Sequence, residues 1–420
     1  MEVQCLIFWY LSFGIMNVAY VTVQFPSPSE TFAARDIRTL AANGVELEVY
    51  SMRERHQDDE TLAREQAVSD VARHHLDLGT LLSGLIYAFV RPFLLAKVLV
   101  WIAKRETTRP KELIKCIALL PSAFYISRKV RKRHPDVVHL FWGHYPSIVG
   151  FLLYQHARPP VLSMFIGAYD LELDLEISRW MLRHADCVFT HSRANLDSLV
   201  KARGSMDGIN VIYRGLDLQR FPPVSEDELT GRESRIFTAG RLVKSKGFDQ
   251  AIRLVHSLDA GGVSVALTIG GKGPDRERLE RLAESLDVSH LVEFTGHISP
   301  TMVRDYMIKS KIFMLLSDAK GERLPNVVKE AMVSGCICVV SKSTGIGELV
   351  VDGVNGYVVA KYEIEEVASL VQSLLNNDGH LLLRRKAVSD IVGKFSVNES
   401  MREYKRQWSN EINRNGCANA

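Results

Sequence analysis

Cysteine is scarce in this chain of 420 residues, and the six present (Cys5, Cys116, Cys187, Cys336, Cys338, Cys417) are scattered. None has the spacing of a zinc-ligand set, and a chain of this length needs no disulfide framework. A reducing cytoplasm is the simple reading. Glycine is missing where a dinucleotide-dependent oxidoreductase would need it. That class requires a Gly-x-Gly-x-x-Gly turn straight after an early strand, and Phe25–Thr31 has no glycine. Low-complexity tracts and short-period repeats are absent too. Aromatic residues make up 8% of the chain, and its most basic stretch is interleaved with aliphatic rather than stacking aromatic side chains. Nucleic acid is therefore not expected as a partner.

Long apolar runs are few. Cys5–Ile15 spans 11 residues, too short to cross a bilayer and without the basic leader or small-residue cleavage site of a secretory signal. Residues 1–15 read as a possible non-native extension ahead of the first strand, with a membrane-dipping anchor as the alternative. The most apolar run is Leu81–Ala103, 23 residues containing Arg91, Pro92 and Lys97. A spanning helix would hold both cations near the hydrocarbon core at roughly 2.5–3.5 kcal/mol each, and the proline would break it. An interfacial helix pair is the better reading. From Arg91 to His134 the chain carries 12 Lys/Arg against two acids, Glu106 and Glu112. These cations suit anionic headgroups, at roughly 1 kcal/mol each. A buried helical insert with a solvated basic face is the bland alternative.

What the chain has throughout is alternation. Strand-like runs at Asn17–Phe25, Val45–Met52, Asp136–Trp142, Pro160–Gly167, Asp186–Ser192 and Asn210–Arg214 are separated by amphipathic segments. After a break they resume at Arg235–Gly240, Val263–Gly270, Leu291–Gly296, Ile312–Ser317, Cys336–Ser341 and Gly356–Val359. Such alternation implies parallel sheets covered by helices on both faces. Two sets predict an α/β protein of two doubly wound, Rossmann-like domains: 16–218, with a basic-apolar insert at 77–134, and 233–394. A Pro-Pro-containing polar linker is expected at 219–232. Phe395–Asn413 reads as a helix crossing back to the first domain.

In doubly wound sheets ligands bind beyond the carboxyl ends of the strands, so the loops there carry the chemistry. Gly240-Arg-Leu-Val-Lys-Ser-Lys246 follows one strand. Gly240 permits a tight turn, and Arg241 and Lys246 supply fixed positive charge for a diphosphate. Gly270-Gly-Lys-Gly-Pro274 closes the next strand; alone it is weak, since the fold itself favours glycine there. Ser317-Asp-Ala-Lys-Gly-Glu322 precedes a helix from Leu324, with Glu330 about two turns in. The carboxylates of Glu322 and Glu330 can accept bonds from sugar hydroxyls, and the free N–H groups near Asn326 and Val327 can hold phosphate oxygens. In the first half, Ser27, Pro28 and Glu30 fit the N-cap, N1 and N3 positions of a capping box. His144 is a candidate to orient or deprotonate an acceptor hydroxyl, with Asp170 and His139 as lesser candidates beside structural roles.

These residues resemble the family-4 retaining glycosyltransferases of the GT-B fold. The resemblance rests on GRLVKSKGF, GGKGP, FTGHI, ERLPNVVKEAM and TGIGELVVDGVNGYVV, and in the first half on VTVQFPSPSETFAARDIRTLAANGVELEVYS, HADCVFTHS and NVIYRGLD. The Phe-Pro-x-x-Ser-Glu-Thr-Phe opening looks most like bacterial exopolysaccharide enzymes of the colanic-acid type. The resemblance implies two domains facing across a cleft that close over the donor. Arg241 and Lys246 would contact the donor diphosphate, Glu322 the sugar hydroxyls and Glu330 the ribose. Glu348 would lie near the nucleotide, and the backbone around His297 would meet the base. It implies transfer with retention and no obligatory metal, in keeping with the absence of an Asp-x-Asp cluster after a strand. Two departures stand out: Arg323 replaces the glycine usual after the first glutamate, and Gly-Ala-Tyr-Asp170 lacks the family's histidine.

The expected activity is therefore hexosyl transfer from a UDP-sugar, or secondarily a GDP-sugar, to a polyprenyl-linked saccharide. The expected place is an anionic membrane surface on the cytoplasmic side of the plasma membrane. A soluble glycosyltransferase, a sugar-nucleotide epimerase on the same fold and a non-catalytic subunit are the alternatives. The basic-apolar insert speaks against the first, and the intact Arg241, Lys246, Glu322 and Glu330 against the last.

Overall fold

The computed structural model describes residues 15–27, 30–55, 57–156, 159–319, 321–360, 363–377 and 379–418. Residues 1–14 with Cys5, the N1 candidate Pro28, Lys320 of the Glu322 loop and the side chain of Cys417 lie outside that description. Two compact units emerge. The first runs to His191, takes in Asn195–Ile212 and includes the chain from Val397; the second comprises Ser192–Ala194 and Tyr213–Ser396.

The first unit holds a seven-stranded sheet: β1 (Met16–Thr22), β2 (Val45–Glu54), β3 (Ala72–Leu76), β4 (Val137–Phe141), β5 (Val161–Phe165), β6 (Cys187–Thr190) and β7 (Ile209–Val211), in spatial order β3-β2-β1-β4-β5-β6-β7. All of its pairings are parallel. The central strands β4, β5 and β6 are buried along their whole length, the pattern of a sheet covered on both faces. Strand β3 was not expected from sequence. Its Ala-Arg-His-His-Leu run has little apolar content, and side-chain pairing supports it at the sheet edge. His74 stacks on Tyr50 at 4.5 Å between ring centroids, and Arg73 reaches Asp59 at 2.8 Å.

Four helices fill the insert: Leu78–Phe89, Pro92–Glu106, Pro110–Ala118 and Leu120–Arg133. Asp77 accepts from Thr80 N at 2.7 Å and caps the first, while Pro92 and Pro110 open the next two with φ already set for a helix. Among the described residues no single helix is long and apolar enough to cross a membrane. The first two together reach that length and composition, but they are bent by 100° at their junction. Tyr87, Val98, Trp101, Ile102, Cys116 and Phe124 bury into the first unit's core. Leu82, Ile86, Phe89, Phe93, Val100 and Ile114 stay exposed, Phe93 at 91%.

The helix Val397–Ala418 belongs to the first unit. Trp408 is wholly buried and donates to Ser163 Oγ at 2.9 Å, and Tyr404 stacks on Phe189 at 4.0 Å. His139 lies in this packing, with Nδ1 2.8 Å from the same Ser163 Oγ and its ring against Tyr20, Tyr404 and Trp408. His139 is thus a core histidine.

The second unit holds a six-stranded parallel sheet of β8 (Glu233–Ala239), β9 (Ala266–Gly270), β10 (Val292–Gly296), β11 (Ser310–Leu315), β12 (Ile337–Ser341) and β13 (Tyr357–Val359), in order β10-β9-β8-β11-β12-β13. Cys336 and Cys338 are fully buried at and in β12. The stretch 219–232, expected as a linker, instead packs on this unit. Phe221, Val224 and Leu229 bury their side chains, and the Arg232 guanidinium donates to the carbonyls of Met307, Ser310 and Ser334. The chain leaves the first unit at Ile212 rather than 218, because these apolar side chains outweigh the paired prolines.

Candidate active site

The strand order of the second sheet reverses between β8 and β11, and a crevice opens at such a switch point. The loop after β8 carries Gly240, Arg241 and Lys246; the loop after β11 carries Glu322. The structure brings these together. Lys246 Nζ pairs with Glu322 Oε1 across 76 residues of chain. Ser317 Oγ lies 2.7 Å from Glu322 Oε2 and 3.0 Å from Ser245 O, and Asp318 N donates to Ser245 O at 2.9 Å. Ser341, at the end of β12, donates to Ser317 O at 2.5 Å. On the other side the loops after β8 and β9 are joined by Gly240 N to Gly270 O at 2.9 Å and Leu242 N to Lys272 O at 3.0 Å.

Gly247 sets how closely the β8 and β11 loops approach. Its φ is +72°, and a Cβ there would lie 1.9 Å from Leu316 O. No residue with a side chain fits, so the glycine holds Lys246 against the end of β11. The Lys246 and Glu322 side chains are about one-fifth exposed. Such a pair contributes only about 0–1 kcal/mol to stability, so its value lies in presenting an ammonium and a carboxylate side by side. Arg241 is exposed, with no side-chain hydrogen bond or ion pair among the described residues.

The helix after this loop spans Asn326–Val333, beginning two residues later than expected. Glu330 is therefore one turn in, on the face of Asn326, rather than two. The amides of Asn326 and Val327 have no acceptor among the described residues, whereas those of Val328 and Lys329 bond to Pro325 O. Two N–H groups at a helix start are a ready anion cradle. Lys329, which sequence reasoning missed, is buried; its Nζ donates to Arg214 O at 2.7 Å and to Asn326 Oδ1 at 3.3 Å. A lysine inside the apolar run Val-Val-Lys-Glu-Ala-Met was the available signal. His297 is exposed after β10, two strands from β8. Glu348 is not turned toward this crevice group. Its carboxylate accepts from Ser192 Oγ at 2.6 Å, Arg193 N at 2.7 Å and Ala194 N at 3.0 Å, which commits both oxygens to that segment.

The first sheet reverses between β1 and β4. Here Trp142 Nε1, after β4, donates to Glu30 Oε1, after β1, at 3.0 Å. Glu30 is the residue before the helix Thr31–Ala42 rather than its third, and it makes no side-chain cap. The expected placement of Glu30 at N3 is thus not met, because the helix begins one residue after it, and its Oε1 is engaged by Trp142. Trp142 itself has φ +71°, a strained conformation for an aromatic residue, of order 1–3 kcal/mol. Gly167 makes room for it: a Cβ there would meet the Trp142 ring at 2.5 Å. Neither Trp142 nor its bond to Glu30 was expected from sequence.

Two residues after Trp142, His144 Nδ1 lies 2.9 Å from Asp170 Oδ1. Asp170 also accepts from Gly143 N at 2.9 Å and Gly167 N at 3.0 Å and is almost wholly buried. A carboxylate held this way fixes the imidazole by one nitrogen, and among the described residues Nε2 has no partner. This is the geometry of an oriented base. Among the described residues, Cys116 and Cys187 are poor nucleophiles, since burial pushes their thiols up to about 12. Among the described residues no group of three or more His, Cys, Asp or Glu is placed to hold a metal.

Comparison with known proteins fits this arrangement. Residues 29–220 match the family model "Glycosyltransferase Family 4", and residues 225–390 match "Glycosyl transferases group 1". An uncharacterised glycosyltransferase of Methanocaldococcus jannaschii is 27% identical over 69% of this chain and 72% of its own length. The amylovoran biosynthesis glycosyltransferase AmsK of Erwinia amylovora is 26% identical over 41% of this chain and 44% of its own length, so the chain spans less than half of that relative. The crystal structure of Anabaena HepE in complex with UDP-glucose superposes with a TM-score of 0.66 at 17% identity, covering 94% of this chain and all of the other. The two units are thus the paired Rossmann-like domains of the GT-B fold. Residues 225–390 are a glycosyltransferase group 1 domain and residues 29–220 a family-4 glycosyltransferase domain, and the chain is a glycosyltransferase, an enzyme.

Proposed function

We propose that this enzyme is a retaining hexosyltransferase that moves a sugar from a UDP-sugar to a polyprenyl-linked saccharide in exopolysaccharide or cell-surface polysaccharide synthesis. The observation that carries the reading is the Lys246–Glu322 pair at the second sheet's switch point, together with the amides of Asn326 and Val327 at the start of the helix that follows Glu322, which have no acceptor among the described residues. Cation, carboxylate and helix start match the three demands of a nucleotide diphosphate-sugar: charge for the diphosphate, acceptors for hydroxyls, and N–H donors for phosphate oxygens. The UDP-glucose held by HepE and the polysaccharide pathway of AmsK support the choice of donor and product class.

In this reading Arg241, Lys246 and the helix start stabilise the leaving nucleoside diphosphate as its charge grows. Glu322 orients the sugar. The acceptor hydroxyl attacks from the face that the leaving group vacates, through an oxocarbenium-like state, with no side-chain nucleophile. His144, held by Asp170, receives or orients the acceptor proton through Nε2. The insert supplies the reason for a lipid-linked acceptor. Leu82, Ile86 and Phe89 recur at helical spacing on an exposed face, Phe93 and Val100 are exposed on the next helix, and Lys97, Lys104, Lys111 and Lys115 are exposed within the insert. Such a surface suits the headgroup–acyl boundary of an anionic bilayer on the cytoplasmic side.

The test is donor binding and slow donor hydrolysis across UDP- and GDP-sugars in EDTA, with Glu322→Ala in parallel. One sugar nucleotide bound by the wild type and lost in the variant is the expected result. Binding of none, with vesicle sedimentation intact, would favour a non-catalytic subunit.

A further inference from the structure

One short junction of the insert, Glu106 to Glu112, touches every segment that carries the His144–Asp170 pair. Asp170 sits on the helix Ala168–Leu173, which is followed after a two-residue joint by the helix Glu176–His184. Arg109 Nη1 donates to Leu173 O, the last carbonyl of the first helix. Glu106 Oε1 accepts from Ile177 N at 3.1 Å, at the start of the second, which has no side-chain cap of its own. A cation thus meets a helix C-terminus and a carboxylate meets a helix N-terminus, the two placements that helix dipoles favour. Between them lies Asp174, with φ +49°. Three residues beyond Arg109, Glu112 Oε2 accepts from Tyr145 OH at 2.6 Å. Tyr145 follows His144 in the chain, and its ring stands edge-on to the imidazole at 5.1 Å. Trp101 of the insert also meets Trp180 of the second helix edge-on, at 5.4 Å between ring centroids.

The junction therefore grips both ends of the Asp170 joint and the neighbour of His144, while the helices leading into it carry the exposed apolar and basic surface. We propose that Glu106, Arg109 and Glu112 are positioning residues that couple the insert to His144–Asp170, so that seating the insert on an anionic bilayer sets the geometry of the acceptor-side base. The proposal rests on the role given to His144 above. It predicts a glycosyl transfer that is weak off the membrane and strengthened on it, by ordering the base rather than by changing donor binding.

The amides of Gly143 and Gly167 both bond to Asp170, so their hydrogen exchange reports the order of the pair without any turnover. The experiment follows that exchange in the wild type and in Arg109→Ala/Glu112→Ala, with and without phosphatidylglycerol vesicles. Sedimentation with the vesicles, UDP-sugar binding and transfer rate are measured alongside. In the wild type, vesicles should slow both amides and raise kcat about 10- to 100-fold, the scale expected when a group misplaced by about 1 Å is brought into place. In the double variant the protein should still sediment and still bind donor, but neither exchange nor kcat should respond. Arg109→Lys with Glu112→Asp should restore part of the response. A wild type that fails to bind vesicles, or binds them with no change at Gly143 and Gly167, overturns the proposal, as does a double variant that responds like the wild type. Loss of donor binding in the wild type with the exchange response intact would instead overturn the transferase reading and leave the coupling standing.

Discussion

The two sheets reverse their strand order at equivalent places, yet the side chains gathered there differ in kind. In the second unit the switch point is bridged by Lys246 and Glu322, formal charges presented by two loops and locked by Ser317 and Ser341. In the first it is bridged by Trp142 and Glu30, with an oriented histidine beside them and a clamp reaching in from the insert. The same topology thus builds one site from charged loop residues that motifs mark in the sequence and the other from side chains whose pairing no motif marks.

The largest effects should come from separating the two sites. Lys246→Ala should lower kcat/KM for transfer about 10²- to 10³-fold and weaken donor binding, since it removes charge stabilisation of the leaving group. His144→Asn should lower kcat about 10²- to 10⁴-fold with donor binding unchanged. Steady-state kinetics beside donor titration distinguish the two, and a His144→Asn enzyme that loses donor affinity would break the division drawn here. Next in size, Phe89→Ser with Phe93→Ser should cut partition onto phosphatidylglycerol vesicles roughly 10- to 100-fold and leave donor binding alone. Vesicle sedimentation reads this directly.

A smaller effect tests how tightly the second unit's loops are set. Gly247→Ala places a Cβ against Leu316 O at positive φ. It should destabilise that unit by about 1–3 kcal/mol, seen as an earlier denaturant midpoint, and raise the KM for donor. The smallest concerns Glu112. Burial pushes its carboxyl up, but the bonds from Lys115 and Tyr145 outweigh that and hold it below the ordinary carboxylate range. A depressed carboxyl stabilises the fold at pH above its ordinary value, and that contribution is lost as the pH falls through the depressed one. Between about pH 5 and pH 3 the wild type should therefore lose slightly more thermal stability than Glu112→Gln, by about 1–2 °C. Identical pH profiles would show that the tether adds nothing to stability.

The second unit was far more legible in sequence than the first. Its strands alternate cleanly, and its charged residues fall in short stretches after them, where turn chemistry marks the loops. In the first unit the edge strand Ala72–Leu76 escaped notice because its support comes from Tyr50 and Asp59, outside the strand. Glu30 looked like a capping residue because Ser-x-x-Glu spacing is a local signal, whereas the indole that captured it lies 112 residues away. The linker expected at 219–232 was likewise a local reading of prolines, overruled by Phe221, Val224 and Arg232 finding a surface to bury against. Glu348 carries a motif position, but its bonds to Ser192–Ala194 belong to packing that no motif encodes.

Periodicity and turn residues act over a few positions, so the chain alone determined that there are two parallel α/β units, where their loops fall and which loops are charged. Contact between loops depends on strand order, and strand order depends on how whole units bury their apolar faces. Only the tertiary structure could therefore decide that Lys246 meets Glu322, that Asp170 turns His144, that His139 is core, and that Glu106 and Arg109 close on one pair of helices while Glu112 holds Tyr145.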